Sequence, residues 1–319
     1  MSVDFTIGSL TVAPNSKVQT WFPVVNSDEK LPLTLINGAK PGKTALITAG
    51  VHGGEYPGIE AAMRLANSID PAEVSGRIAI ISCVNSESFF TKTQYYNPID
   101  GVNLNRVFPG KALGTLCERL AYTISSHFYP EADLYLDLHS GDLHEDLLDF
   151  VIYSQVGSDA LVASAREMAS LLGVEHIVGS TSITGTFGSA ANVGIPALLG
   201  EIGCCGRWSE ADVAQYIWGV KNILRHFGIL AGAVERKPVT YYKRAAGVAV
   251  GATGVWHPAV VKGQQVAEGQ LLGEIVDLFG KTLCTHTAPC AGPVLYVVSS
   301  LSVREGEALA AIGDPEATP

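Results

Sequence analysis

The 319-residue sequence lacks the features that mark membrane-spanning, secreted and disulfide-stabilised proteins. No apolar run approaches the roughly 20 residues that a membrane helix needs. The N-terminus, MSVDFTIGSL, has neither the basic start nor the apolar stretch of a signal peptide. The six cysteines include no CxxC pair and no small-scaffold framework. We therefore expect a cytoplasmic protein with reduced thiols and no membrane partner.

Basic charge is also scarce. Lysine and arginine total 21 against 31 aspartates and glutamates, so the formal net charge is −10. This balance argues against nucleic acids and anionic membranes as partners, because both need a basic surface. A small anionic ligand stays compatible, since one arginine can dominate a pocket. The 47% of apolar residues and the chain length fit a packed protein of two domains, and a homo-oligomer is compatible with both.

Residues 43–227 alternate between two textures. Apolar, β-branched runs predict strands at 44–50, 77–84, 132–138, 149–154 and 195–202. Apolar residues that recur every three or four positions predict helices at 58–69, 113–128, 159–172 and 209–227. Together they predict an α/β fold with a mostly parallel, doubly wound sheet covered on both faces. The first 42 residues predict a strand pair that leads into this sheet.

After Glu235 the helical periodicity disappears, and short apolar runs broken by glycine and proline predict a small all-β domain. An internal repeat supports this interpretation. The motif Val266-x-x-Gly269-x-x-Leu272-x-x-Ile275 returns as Val303-x-x-Gly306-x-x-Leu309-x-x-Ile312. Two such halves resemble the barrel-sandwich arrangement of biotinyl- and lipoyl-type domains. We expect an α/β domain at 1–235 and a β domain at 236–319.

Three residues at predicted strand ends form a candidate metal site. The strand TALITAG runs into V-H-G-G-E, which contains His52 and Glu55, and the strand ADLYLDLH ends at His139. Loops after the carboxyl ends of parallel strands lie where α/β proteins bind ligands. Two imidazoles and one carboxylate suit a catalytic Zn²⁺, with a fourth position left for water. We expect one Zn²⁺ per chain and a zinc-bound water as nucleophile.

Other polar residues near these strands complete the candidate site. Glu201, near the end of the strand IPALLGEI, is the candidate general base and acid, although a strand-end salt bridge is an alternative. Asn105 and Arg106 are candidates for holding a substrate carboxylate, because arginine offers it a planar fork. A ligating histidine needs a partner for its other nitrogen. Asn103 and Asp137 compete for that role.

The ordered motifs HGGE, NPIDGVNLNRVFPG, LDLH and GEIG resemble the succinylglutamate desuccinylase/aspartoacylase family over residues 40–230. The resemblance implies a zinc-carboxypeptidase-like sheet that hydrolyses the amide bond of small N-acyl amino acids. It implies zinc ligands at His52, Glu55 and His139, a catalytic carboxylate at Glu201, and a carboxylate clamp at Asn105 and Arg106. It also implies that the C-terminal domain restricts the pocket, so that long peptides fit poorly.

The sequence departs from the family pattern at three places. The arginine that polarises the substrate carbonyl in many relatives is missing, and Lys92 and Gln94 are the candidates for its role. No lysine or arginine stands between Glu167 and Gly206, which argues against a substrate with an acidic side chain. The usual glycine-rich segment after the catalytic glutamate contains the pair 204–205, Cys-Cys. We expect these cysteines to be ordinary packing residues.

Three functions compete at this level. The leading one is an N-acyl amino acid deacylase. A metallocarboxypeptidase that acts on short peptides would use the same motifs, so only the shape of the cleft separates the two. The third is a carrier domain with a modified lysine between the repeats. Lys281 is the only lysine there, and it lacks the Met-Lys-Met or Asp-Lys setting of such domains.

Overall fold

The computed structural model describes residues 3–316, which form 19 β-strands, six α-helices and three short 3-10 helices. The α-helices are α1 (Tyr56–Ser68), α2 (Ser86–Thr91), α3 (Leu116–His127), α4 (Asp159–Leu171), α5 (Gly185–Asn192) and α6 (Glu210–His226). The 3-10 helices are Pro71–Glu73, Leu104–Arg106 and Tyr129–Glu131. The four helices expected from periodicity are therefore confirmed to within three residues at each end, while α2 and α5 are additional.

The strands fall into an N-terminal and a C-terminal set. The first set is β1 (Phe5–Ile7), β2 (Leu10–Val12), β3 (Ser16–Pro23), β4 (Lys30–Asn37), β5 (Lys40–Ala49), β6 (Ser75–Ile81), β7 (Leu134–His139), β8 (Glu145–Leu147), β9 (Phe150–Ser154), β10 (His176–Ser180) and β11 (Ala197–Glu201). The second set is β12 (Thr240–Ala249), β13 (Gly254–Pro258), β14 (Gln265–Val266), β15 (Leu271–Val276), β16 (Thr282–Thr287), β17 (Gly292–Val298), β18 (Ser302–Val303) and β19 (Ala308–Pro315).

The main sheet is mixed rather than mostly parallel. Its order is β3-β4-β6-β5-β7-β11-β9-β10, and it continues through β12, β19, β17 and β14. The central strands β6, β5, β7 and β11 are parallel neighbours. In contrast, β9 runs antiparallel to β11, and the expected strand pair β3–β4 is an antiparallel hairpin at the border. The predicted parallel order thus holds at the centre, where the candidate residues lie, and fails on both sides of it.

Helices cover both faces of the sheet, as the alternation predicted. One face packs against α1, α4 and α6, and its core contains Ile47, Leu136 and Leu198. The opposite face packs against α3 and α5 and contains Leu46 and Tyr135. Successive strand residues point to opposite faces, so neighbours such as Leu46 and Ile47 enter different cores. Strands buried on both sides need continuous apolar runs, which is the pattern seen in the sequence.

The C-terminal region encloses an apolar core between two sheets. The separate sheet β16-β15-β13-β18 contributes Trp256 and Leu272, and the end of the main sheet contributes Val294 and Leu309. Every apolar position of the internal repeat is buried in this core. The glycines of the repeat adopt positive φ angles, as a tight turn between two short strands requires. The two repeats are therefore equivalent strand–turn–strand units, while the barrel-sandwich closure stays a prediction.

The two regions share one sheet. Strand β12 pairs in parallel with β10 on one side and antiparallel with β19 on the other. A division near residue 235 therefore falls just before a strand that joins both regions, and it stays a prediction. The outer bounds of the two expected domains, residues 1 and 319, lie outside the described residues.

Two further features follow from the described part of the chain. None of its helices combines the length and apolar character needed to cross a lipid bilayer. All six cysteines are free. Cys83 and Cys117 are buried, and the other four are partly exposed.

Candidate active site

The predicted site residues meet at the carboxyl ends of three adjacent parallel strands. His52 follows β5, His139 is the last residue of β7, and Glu201 is the last residue of β11. In the strand register, Glu201 lies directly beside His139. Residues more than 60 positions apart in the chain are thus placed side by side by strand pairing alone.

The loop that carries His52 and Glu55 makes its turn through two crowded glycines. A Cβ atom on Gly53 would overlap the backbone of Phe89, and one on Gly54 would overlap the Asp142 carboxylate. Glu55 then stands at the N-cap of α1, but its side chain does not cap the helix. Instead the carboxylate points to the two histidines. The Glu55 side chain of the motif HGGE therefore contacts the histidines and does not cap α1, although an N-cap hydrogen bond is typically worth about 1 kcal/mol.

Glu55 bridges the two histidines. Its Oε1 lies 2.6 Å from His52 Nδ1, and its Oε2 lies 2.7 Å from His139 Nδ1. The backbone N–H of Ser140 also donates to Oε2, at 3.2 Å. All three candidate ligands are buried, and one ligand atom from each lies within 4.8 Å of the others.

Each histidine has its own partner for the second ring nitrogen. His139 Nε2 lies 2.7 Å from Asp137 Oδ2, and His52 Nε2 lies 3.2 Å from Asn103 Oδ1. Asp137 is held in turn by the Thr48 hydroxyl, which donates to its Oδ1 at 2.6 Å. The sequence left Asn103 and Asp137 as competitors for one role. The structure gives one partner to each histidine, which leaves both Nδ1 atoms facing Glu55.

The electrostatics of the cluster reflect its burial. Burial would raise the pKa of Glu55, but His139 and His52 hold that pKa down to about 2. Burial would likewise lower the pKa of His139, yet Glu55 and Asp137 raise that pKa well above its ordinary value. The pKa of His52 is also raised, because Glu55 outweighs desolvation. The ionised carboxylate of Glu55 therefore stabilises positive charge at the two histidines.

These residues fit a divalent metal. Two imidazole nitrogens and one carboxylate oxygen, converging from separate segments and supported by outer hydrogen bonds, form the donor set of many catalytic zinc sites. Glu201 adds a second observation, because its Oε2 is buried and has no hydrogen-bond partner among the described residues. A buried, unpartnered carboxylate oxygen calls for water or another ligand in the same cavity.

Glu201 is distinct from Glu55 in its surroundings. Burial raises the pKa of Glu201 well above its ordinary value, and the negative charges of Glu55 and Glu145 raise it further. It makes no salt bridge within residues 3–316, so the alternative interpretation as a strand-end ion pair is wrong. A buried carboxylate that lies beside the candidate metal ligands and has a raised pKa is compatible with the general-base role predicted from the sequence.

The expected carboxylate clamp lies on the 3-10 helix Leu104–Arg106. Asn103 caps this helix, and its Oδ1 accepts the backbone N–H of Asn105 at 2.9 Å. Asn105 Oδ1 accepts the N–H of Thr186 at the start of α5, which leaves its amide Nδ2 as a free donor in the described part of the chain. Arg106 is exposed and makes no salt bridge within residues 3–316. The clamp is thus tied to the metal cluster through Asn103.

Four residues that the sequence analysis did not single out lie around the cluster. Tyr95 packs edge-on against His52, with ring centroids 5.8 Å apart, and adopts a positive φ of 54°. Its N–H donates to Asp142 Oδ2 at 2.8 Å, and the N–H of Asp142 donates to Glu145 Oε2 at 3.0 Å. Tyr296 comes from β17 of the C-terminal region, which pairs with β8. The only sequence signal was the unusual acidic segment just after LDLH.

A sequence profile of the succinylglutamate desuccinylase/aspartoacylase catalytic domain matches residues 41–227, which is more than half of the chain. The chain belongs to the succinylglutamate desuccinylase/aspartoacylase family. The family profile spans HGGE, LDLH and the strand that ends at Glu201. The resemblance expected from the motifs is therefore confirmed.

Proteins similar to this chain align with most of its length. The Nα-acetyl-L-2,4-diaminobutyric acid deacetylase of Halomonas elongata is 28% identical over 294 residues, which cover 89% of this chain and 85% of that protein. The product-bound ectoine utilization protein EutE (DoeB) of Ruegeria pomeroyi is 27% identical and superposes with a TM-score of 0.83, covering 93% of this chain and 95% of that one. A succinylglutamate desuccinylase/aspartoacylase structure from Rhodobacter sphaeroides is 26% identical, with a TM-score of 0.83 and coverage of 95% and 96%.

The two candidates for the role of the missing arginine can now be located. Lys92 is the C-cap residue of α2 and lines an apolar surface groove with Phe89 and Trp208. Gln94 lines a different cavity of about 330 Å³ together with Tyr95. Gln94 is therefore the one of the two candidates that shares a cavity with Tyr95, which contacts His52.

The cysteine pair lies beside the site without joining it. Cys204 Sγ lies 3.1 Å from Lys262 Nζ and 3.4 Å from Asp146 Oδ1. Cys205 forms with Asp146 and Cys204 a group that is separate from the one containing the histidines. Both cysteines are partly exposed and make polar contacts, so the expectation of ordinary packing residues is only partly met. Lys262 belongs to the C-terminal region, and this contact joins it to the loop after Glu201.

Proposed function

We propose that this protein is a zinc-dependent hydrolase that cleaves the amide bond of a small N-acyl amino acid. One observation carries the proposal. The two imidazoles and Glu55 converge at the sheet rim, and the unpartnered oxygen of Glu201 lies on the next strand, beside His139. A divalent metal site adjacent to a carboxylate of raised pKa is one combination of groups that can catalyse amide hydrolysis.

In this proposal His52, Glu55 and His139 hold the zinc. When bound, zinc supplies Lewis acidity, which polarises a carbonyl oxygen and makes water acidic near neutral pH. Glu201 Oε2 accepts a proton from water and later delivers it to the leaving amine. Arg106, with the free Nδ2 donor of Asn105, holds the α-carboxylate of the substrate and fixes the amide relative to Glu201.

Relatives and structure both favour a deacylase over a carboxypeptidase. The Halomonas relative is named for removing an acetyl group from a diamino acid, which is the reaction class proposed here. In this chain the C-terminal region packs beside the loop that follows His139, because β17 pairs with β8. A region held there would hinder an extended peptide more than a short acyl group. Kinetics with N-acetyl amino acids and with dipeptides compare the two activities directly.

The substitution Glu201→Gln tests the mechanism. It keeps the shape of the side chain and removes the proton acceptor, so we expect the turnover number to fall by about 100- to 10,000-fold. Zinc content, measured by elemental analysis, should stay at one ion per chain, because Glu201 is not a ligand. Glu73→Gln, at an exposed position, is the matched control. Retained turnover in the Glu201→Gln protein would refute the role of Glu201.

A further inference from the structure

The loop that follows Glu201 holds two neighbouring thiols beside a carboxylate. Cys204 and Cys205 lie in this loop, and Asp146 lies on β8. Cys204 Sγ is 3.4 Å from Asp146 Oδ1, and one ligand atom from each of the three residues lies within 4.8 Å of the others. Sulfur and oxygen ligands of one tetrahedral zinc ion stand roughly 3.5–4 Å apart. Small side-chain rotations would therefore bring all three ligand atoms onto a single ion.

Backbone hydrogen bonds fasten the cysteine loop to the segment that carries Asp146. The N–H of Cys205 donates to the carbonyl oxygen of Glu145 at 2.9 Å, and the N–H of Gly206 donates to that of Gly141 at 3.2 Å. The two thiols and the carboxylate are thus presented by two segments that are bonded to each other. A set of ligands fixed in this way loses little conformational freedom when an ion binds.

Cys205 occupies a backbone position that glycine would fill at lower cost. Its φ angle is +57°, in the left-handed region that is unfavourable for every residue with a Cβ atom. The glycines around it, Gly203 and Gly206, also have positive φ angles, of 87° and 56°. Cys205 is partly exposed, so burial of its side chain does not account for a thiol at this position. Strained residues of this kind occur most often at functional sites.

A cationic group already lies against two of the three ligands. Lys262 Nζ is 3.1 Å from Cys204 Sγ and 2.9 Å from Asp146 Oδ1, so the ammonium group bridges the thiol and the carboxylate. The Lys262 side chain is 37% exposed and ends a flexible four-carbon stem, which allows its ammonium group to rotate into solvent. Its present position marks a place where these two side chains accommodate positive charge.

We propose that Cys204, Cys205 and Asp146 form a second metal site, which binds a thiophilic divalent cation of the zinc group and displaces the Lys262 ammonium into solvent. Two sulfur ligands select such an ion over magnesium or calcium. Water completes the coordination, and the two thiol protons pass to solvent when the metal–sulfur bonds form. None of the three ligands belongs to the cluster of His52, so the site is independent of the proposed hydrolase function.

Titration with Cd²⁺ tests this assignment in protein that first receives one equivalent of Zn²⁺. Cadmium–thiolate bonds absorb in the ultraviolet through charge transfer, whereas histidine and carboxylate ligands give no such band, so the signal reports the thiols alone. We expect the band to saturate at one Cd²⁺ per chain, with a dissociation constant of about 1 μM or lower. In Cys204→Ser and in Cys205→Gly the affinity should fall by more than about 100-fold, because even an outer partner of a ligand is worth 10- to 100-fold.

Two controls separate a metal site from a structural role of the cysteines. Glycine adopts the φ angle of Cys205 without strain, so Cys205→Gly should lose the band while its urea midpoint is unchanged or higher. Cys290→Ser removes another partly exposed thiol, in the C-terminal region, and should keep the band and the affinity. The absence of a saturable band, an unchanged affinity in Cys205→Gly, or an equal loss in Cys290→Ser would each overturn the second site.

Discussion

The rim of the main sheet and the C-terminal region differ in the polarity of the side chains that they bury. In residues 3–316, every fully buried polar or charged side chain lies at or before Asn222, and many of them surround His139. The core between the two C-terminal sheets is apolar, and Trp256 is its largest fully buried side chain. The rim concentrates groups that are costly to bury, and the C-terminal region concentrates groups whose burial stabilises the fold.

This contrast indicates that the rim and the C-terminal region have different roles. In the proposed function, a metal bound at the rim would offset charges such as those of Glu55 and Asp137. The β region contributes stability and one side chain, Tyr296, to the surroundings of the site. Substitutions in the two places should therefore separate stability from metal affinity and substrate affinity.

The largest effect is expected from Trp256→Ala. Trp256 is fully buried, so the cavity left behind should lower the free energy of unfolding by about 3–5 kcal/mol. Urea denaturation measures this quantity, and the protein that stays folded should bind zinc with unchanged affinity. Trp21→Ala on β3 is the control, because that side chain is 60% exposed and should change stability by under about 0.5 kcal/mol. A loss below 1 kcal/mol for Trp256→Ala would break the contrast.

A smaller effect is expected from Asp137→Asn. Asparagine cannot support the His139 ring as a carboxylate does, so zinc affinity should fall by about 10- to 100-fold. Competition with a chelator measures the affinity. Asp133→Asn is matched to it, because Asp133 precedes the opposite end of the same strand and binds the N–H of Thr44. Equal zinc affinities in the two variants would contradict the role of Asp137.

The smallest effect is expected from Arg106→Lys. Lysine keeps the charge but loses the planar fork, so KM for an N-acyl amino acid should rise by roughly tenfold. The comparison with Arg77→Lys, on β6 at the other end of the sheet, controls for general changes of charge geometry. An unchanged KM would show that the substrate carboxylate binds elsewhere.

The sequence was most informative about the candidate site residues that stand at the ends of predicted strands. HGGE, LDLH and the strand ending at Glu201 could be recognised because each combines an apolar run with a polar residue at its terminus. Their meeting point then followed from parallel pairing. The antiparallel insertion of β9 beside β11 could not be predicted, because an apolar run carries no direction.

The missed residues have a different cause. Tyr95, Glu145 and Tyr296 come from three distant segments, and two of them are brought together only because β8 pairs with β17. Such pairing depends on tertiary packing and leaves no local periodicity to detect. Asn103 and Asp137 were recognised as candidates, but their division between the two histidines required coordinates.

The strand β12 has a mechanical consequence for the cleft. The backbone of β12 is hydrogen-bonded to β10 on one side and to β19 on the other. The C-terminal region therefore cannot rotate away as a hinged lid unless the hydrogen bonds of one of these strand pairs break. Cutting the chain before β12 would also leave the border of β10 bare, which invites self-association. The fold therefore fixes the width of the cleft above the candidate site, and no domain movement opens or closes it. The motions left to admit a ligand are rotations of individual side chains.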